Sequence, residues 1–283
     1  MLKNFQTVKG DMEKQYSEKI NRLSHNLTSL SAHLIQDLYA LIPQDILTAT
    51  RNFKEQREMV AKKISSNPND AADTFLKVLK TGISVKNEFS AYRKLSDSIP
   101  NLRFTFHVLH KVILNVTNLF LSDFAEKQIH LNIGSDSCRV NIDYESMQVA
   151  FYHILDNAVK YVKDGTDVRI SFRYTNDGLD VIFKMTSICI SASELRKIFE
   201  DHYSGEIARQ QSLAGNGLGM GIVRELLRLN RAEINVIPGE IVKPTDLYAE
   251  NQFIVKFKSL HIDKQIGQSS IFAPETILKP VRR

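Results

Sequence analysis

The sequence predicts an α+β protein in two parts: an N-terminal antiparallel helical hairpin, then an α/β layered sandwich. Two observations predict it. Over the first hundred residues apolar side chains recur at helical spacing, whereas beyond residue 160 they alternate with polar ones in short runs, as in strands with one buried face. Between the two patterns stands Ser98-Ile99-Pro100, where a helix is expected to stop. Residues 1–98 are assigned to the hairpin, 101–260 to the layered domain, and 261–283 to a tail without a clear period.

In the hairpin, Ile20, Leu27, Leu34 and Leu41 recur every seven residues, and Leu23 and Leu30 fill the d positions between them. Asp37 breaks the d series, and Pro43 kinks or ends the stretch. Ser65-Ser66-Asn67-Pro68-Asn69-Asp70 is the clearest turn, with Asn69 or Asp70 available to cap a second helix. That helix is expected to bury Leu76, Leu79, Ile83, Phe89, Tyr92 and Leu95. Two helices with one apolar face each cannot hide that face alone, so a second copy is expected to complete a four-helix bundle.

Past Pro100, Leu109, Val112, Ile113, Val116 and Phe120 predict a helix around 105–127. Strands are expected at 168–172, 179–183, 234–236 and 253–257, and such a pattern makes a largely antiparallel sheet with helices on one side. The segment Asp143 to Val162 reads as a helix with a core stripe of Met147, Phe151, Ile154, Ala158 and Val162. His153, Asn157, Lys160 and Tyr161 lie on a separate face, which on a lone helix is usually plain solvent surface.

The composition narrows the function classes. Hydrophobic residues are 43% and charged ones 24%, as in ordinary globular proteins. The net charge of +5 is spread out, with no basic stripe interleaved with aromatics, so no nucleic-acid partner is expected. No apolar run approaches the roughly 18–20 residues of a membrane span. Cys138 and Cys189 are isolated and fit neither a disulfide framework nor a metal site. The opening Met1-Leu2-Lys3-Asn4-Phe5 is no secretory signal, so a cytoplasmic location is expected.

What changes the reading of the 143–162 helix is a second motif, Gly215-Asn216-Gly217-Leu218-Gly219-Met220-Gly221, opening into an apolar helix with Val223, Leu226 and Leu227. Alternate glycines let backbone approach a ligand closely, and free amides at a helix start point at an anion. His153-Ile154-Leu155-Asp156-Asn157-Ala158-Val159-Lys160-Tyr161 resembles the asparagine box of histidine kinases, and Gly215 to Gly221 resembles their second glycine box. Lys197-Ile198-Phe199-Glu200-Asp201-His202-Tyr203 resembles the phenylalanine box that precedes their mobile ATP lid. The resemblance covers residues 101–258 and belongs to the ATPase superfamily shared with gyrase and the ninety-kilodalton chaperone. It implies that Asn157 coordinates Mg²⁺ on ATP, Lys160 contacts phosphate and Tyr161 packs beside the nucleotide. Gly215, Gly217, Leu218, Gly219 and Gly221 would cradle the phosphates, residues 200–214 would be the lid, and His153 and Phe199 join the nucleotide-binding set.

In the hairpin, Leu23-Ser24-His25-Asn26-Leu27-Thr28-Ser29 is similar to the family's phospho-acceptor motif. His25 falls at f, the most exposed heptad position, and His33, at g, is the weaker alternative. Two departures stand out. Asn26 occupies the place of the family's acid, and Met185, Ser187 and Cys189 replace the aspartate and both glycines of the first glycine box. A thioether cannot replace a carboxylate acceptor for the adenine amino group.

The resemblance therefore implies a homodimeric histidine kinase of a two-component system, phosphorylating His25 from ATP and passing the group to an aspartate of a response-regulator receiver domain. Its input would come from a separate sensor protein or from the bundle itself. The alternative is a histidine phosphotransferase or regulator-binding scaffold whose ATP domain is non-catalytic. A third class is a protein-binding ATPase without phosphohistidine.

Overall fold

The computed structural model describes residues 2–96, 100–213, 217, 219–240, 246–263 and 276–278. The chain divides into two compact units, Met1–Pro100 and Asn101–Arg283.

In the first unit, α1 (Leu2–Leu41) ends just ahead of Pro43 and packs along α4 (Pro68–Ser96). The connection holds two further helices, α2 (Gln44–Thr48) and α3 (Phe53–Ser66), to which the sequence reading gave no elements of their own. Asn52 caps α3, its side-chain oxygen accepting from the Lys54 amide at 3.0 Å. Neither Asn69 nor Asp70 caps α4. Asn67 is the single residue between the helices and Pro68 opens α4, a position where its missing N–H costs nothing and its fixed φ suits the helix.

The hairpin's interior differs from expectation. Leu76, Leu79 and Phe89 are 54%, 49% and 52% exposed, while Ile83, Tyr92 and Leu95 are half-buried. Buried instead are Asn26, Ser84, Asn87, Ser90, Ala91 and Lys94, and Asn26 Nδ2 donates to Glu88 Oε2 at 3.1 Å. The most deeply buried residues of the hairpin are thus mostly polar or small. Leu76, Leu79 and Phe89 lie exposed, as do Ile20, Ile35, Leu38 and Tyr39 of α1.

The second unit opens with strand β1 (Phe104–Val108), not with the helix expected from residue 105. Its residues pair antiparallel with β3 (Arg139–Asp143), Phe104 opposite Asp143. Helix α5 (Leu109–Thr117) follows, then a 3₁₀ turn at Asn118–Phe120 and α6 (Leu121–Glu126). The remaining strands are β2 (His130–Ile133), β4 (Asp167–Thr175), β5 (Gly178–Ile188), β6 (Ala232–Ile237), β7 (Tyr248–Lys258), β8 (Ile262–Asp263) and β9 (Thr276–Leu278). A small sheet has the order β1-β3-β8; the main sheet runs β6-β7-β5-β4-β2-β9. All described pairings are antiparallel except β2 with β4, so the sheet is largely antiparallel as expected.

Helix α7 (Tyr144–Tyr161) and helix α9 (Gly219–Leu229) pack together, and α5 packs on α7. The core stripe of α7, Met147, Phe151, Ile154, Ala158 and Val162, is buried, and Phe151 meets Phe183 of β5 with ring centroids 5.9 Å apart. Such large apolar residues supply most of the stabilisation, about 1.5–3 kcal/mol each on full burial. Asp143 caps α7 by accepting from the Ser146 amide at 2.9 Å. Buried Asn230, just past α9, accepts from the Asp143 amide at 2.8 Å and donates to Ser146 Oγ at 2.7 Å. One end of α9 is thereby pinned to the start of α7. That sets the opposite end of α9, the glycine-rich one, against the last turns of α7.

Candidate functional site

Gly219 opens α9 beside the polar face of α7. A Cβ added there would lie 3.5 Å from Asn157 Nδ2 and 3.7 Å from His153 Nδ1. On the other side, a Cβ at Gly221 would lie 2.9 Å from Asp201 Oδ1 and 3.2 Å from the Phe199 carbonyl. Gly217 has φ +67°, and a Cβ there would come within 2.6 Å of His202 and Tyr203 backbone atoms. The structure therefore brings together His153, Asn157, Phe199, Gly217, Gly219 and Gly221. Gly215 and Leu218 lie outside the described residues.

His153 is buried rather than solvent-facing, its ring edge-on to Tyr152 at 5.7 Å. Asn157 is half-buried, Lys160 is exposed and ion-paired to Asp156 Oδ2 at 2.6 Å, and Tyr161 is half-buried. Phe199 is buried in a 3₁₀ turn at Lys197–Phe199, with the Arg224 guanidinium 5.7 Å over its ring. The start of a helix, a close-approach glycine and a neighbouring amide make a cradle for an anion. Asn157 Oδ1 is the hard oxygen type that Mg²⁺ takes. Among the described residues no cluster of His, Cys, Asp and Glu could hold a metal by itself. A cation here would need ligands from the phosphates.

Sequence reasoning missed Glu194. This buried carboxylate accepts from the Ser191 amide (2.9 Å) and hydroxyl (2.8 Å) through Oε2, and from the Tyr203 hydroxyl (2.9 Å) and Glu206 amide (2.8 Å) through Oε1. Burial alone would raise its pKa, but these four bonds outweigh it and lower the pKa below the ordinary carboxylate value. Burial, then the Glu194 bond, pushes the Tyr203 hydroxyl up. Glu194 so fastens the segment carrying Phe199 to the start of α8 (Glu206–Gln210) inside the expected lid. The Ser191-x-x-Glu194 spacing, a capping box, was the signal that could have found it.

The end of α7 is stitched to β5: Val162 bridges Ser187, and the Lys163 amide donates to the Thr186 carbonyl at 2.9 Å. Here Met185 is buried in register with Asn251, and β5 continues regularly to Ile188 opposite Tyr248. In the hairpin, His25 and His33 are both exposed. Asn26 faces inward to Glu88.

Residues 142–259, a span that includes the α7 face and the α9 glycines, match the family described as histidine kinase-, DNA gyrase B-, and HSP90-like ATPase. The match covers 118 of the 283 residues, all of them in the second unit. The autoinducer 2 sensor kinase/phosphatase LuxQ of Vibrio vulnificus (strain YJ016) is 22% identical over 82% of this chain and 28% of its own length. The phosphate regulon sensor protein PhoR of Pseudomonas aeruginosa is 31% identical over 33% of this chain and 22% of its own. Among solved structures, the Acinetobacter baumannii histidine kinase AdeS aligns with TM-score 0.49 at 13% identity, covering 83% of this chain and 98% of that one. The chain is similar to the cytoplasmic core of sensor histidine kinases and spans about a quarter of the length of these two curated relatives. No helix among the described residues is long and apolar enough to cross a membrane.

Proposed function

We propose that the chain works in the cytoplasm as the homodimeric core of a two-component histidine kinase. The observation that carries this reading is the convergence of Asn157 and His153 on the close-approach glycine that opens α9. ATP would lie with its phosphates on those glycine amides, and Asn157 would hold Mg²⁺ through its amide oxygen. The metal supplies neutralisation of phosphate charge. Lys160, now paired with Asp156, would turn to the phosphates, and Tyr161 and Phe199 would flank the nucleotide. The exposed imidazole of His25 would then attack the γ-phosphorus with a ring-nitrogen lone pair. The bond to the bridging oxygen breaks, ADP departs with that electron pair, and the other ring nitrogen gives its proton to solvent. The phosphoryl group would pass to an aspartate of a response-regulator receiver domain, with input from a separate sensor protein. The exposed apolar residues of the hairpin support pairing with a second copy.

Incubation with γ-labelled Mg-ATP tests this. The wild type should acquire acid-labile, base-stable label, His25→Ala should lose all of it while keeping its dimer and nucleotide affinity, and His33→Ala should keep the label. Buried Met185 favours a second reading, a phosphotransferase or regulator-binding scaffold. That protein would be labelled only by a phosphorylated regulator. No label from either source would sink both readings.

A further inference from the structure

Adenine carries an amino donor where guanine carries a carbonyl acceptor, so a site selects between them only with a fixed partner of one sign. Among the described residues of the strand wall beside the end of α7, Met185, Ser187 and Cys189 supply none. Met185 offers a buried thioether, Ser187 a hydroxyl that both gives and takes, and Cys189 a thiol already donating to the Asp246 carbonyl at 3.3 Å. The one amide in register with Met185, that of Asn251, is consumed. Its Nδ2 donates to Ser187 Oγ at 2.8 Å and to the Ile188 carbonyl at 2.9 Å, and its Oδ1 accepts from the Gly239 amide at 2.9 Å.

We propose that this Ser187–Asn251 brace leaves the nucleotide site without selection for adenine, so that its ligand class is any nucleoside triphosphate held by its phosphates. The inference rests on the nucleotide reading above and goes beyond it in naming what sets base selectivity. Asn251 is fully buried, and its amide ties three backbone segments together, so it cannot rotate to offer its oxygen to a base. Gly239 is clamped as well: a Cβ there would lie 2.5 Å from the Glu250 amide nitrogen. Ser187 Oγ accepts from Asn251 and keeps its own hydrogen, which suits a carbonyl as well as its remaining lone pair suits an amino group.

The test is displacement of N-methylanthraniloyl-ATP from the full chain, with Mg²⁺ present, by ATP, GTP, CTP and tripolyphosphate. The three nucleotides should compete within about threefold of one another, a difference well under one decade of affinity. ATP displacing at about tenfold or more lower concentration than GTP would overturn this inference and leave the nucleotide reading standing. Failure of every competitor and of the probe to bind would overturn both. Met185→Asp, checked for its fold by thermal melting, should favour ATP over GTP by about tenfold or more. A folded Met185→Asp that stays unselective overturns the assignment of this wall to the base, and if that variant does not fold the wild-type competition alone decides.

Discussion

Glu194→Gln isolates one carboxylate that holds four donors. In the wild type each oxygen accepts twice, Oε2 from the Ser191 amide and hydroxyl and Oε1 from the Tyr203 hydroxyl and Glu206 amide. A glutamine oxygen can serve one pair only, and its Nε2 then faces two donors across a buried contact. Leaving buried donors unmatched costs about 1–3 kcal/mol each, so a net loss of about 3 kcal/mol is expected. For a unit of this size each kcal/mol moves the midpoint by about 2–4 °C, giving a fall of about 6–12 °C by scanning calorimetry at pH 7. The pH dependence follows from the direction of the shift. A carboxyl whose folded pKa is lowered adds stability above its unfolded value, near 4.5, and loses it as pH falls through the folded value. The gap between wild type and Glu194→Gln should therefore narrow as pH drops below about 4.5. A variant that melts within about 1 °C of wild type at pH 7, or a gap that widens in acid, would show that the four bonds do not hold this segment.

Two further outcomes are expected. Gly217→Ala should cost about 2–4 kcal/mol, from the left-handed backbone and from the Cβ driven against His202 and Tyr203, and should abolish Mg-ATP binding by titration calorimetry; a variant binding as wild type would refute the cradle. Light scattering at micromolar concentration should give twice the 32.3 kDa chain mass, and Leu79→Glu with Phe89→Lys should reduce it to one chain without loss of helicity by circular dichroism.

Much of the second unit was legible because α7 carries a sustained period: its core stripe stands where the spacing placed it, whereas His153 of the polar face is buried. The reading failed where an element's boundary has no chemical mark. Phe104–Val108 alternates as a strand does, but Val108 makes no side-chain cap for α5, so the helical period of Leu109, Val112 and Ile113 was carried backwards over it. In the hairpin the apolar positions were found, but not which of them meet within one chain, because helical spacing marks a stripe as apolar without saying what faces it. Asn251 is a different case. A buried amide inside the apolar alternation of β7 is visible in the sequence, but its partners, Ser187, Ile188 and Gly239, are set by sheet pairing. The short strands β8 and β9 owe their conformation to the edges they meet rather than to any period of their own.

That last pairing bears on handling the protein. β9 runs antiparallel along β2, with Leu131 opposite Leu278, and so occupies an edge that would otherwise present a row of open amides and carbonyls. Open edges are where foreign strands add and aggregates nucleate. A version of the chain cut after Asp263 keeps every residue of the α7 and α9 cradle yet exposes β2. Its shortened form should lose solubility on storage, by turbidity, while its fresh nucleotide affinity is intact.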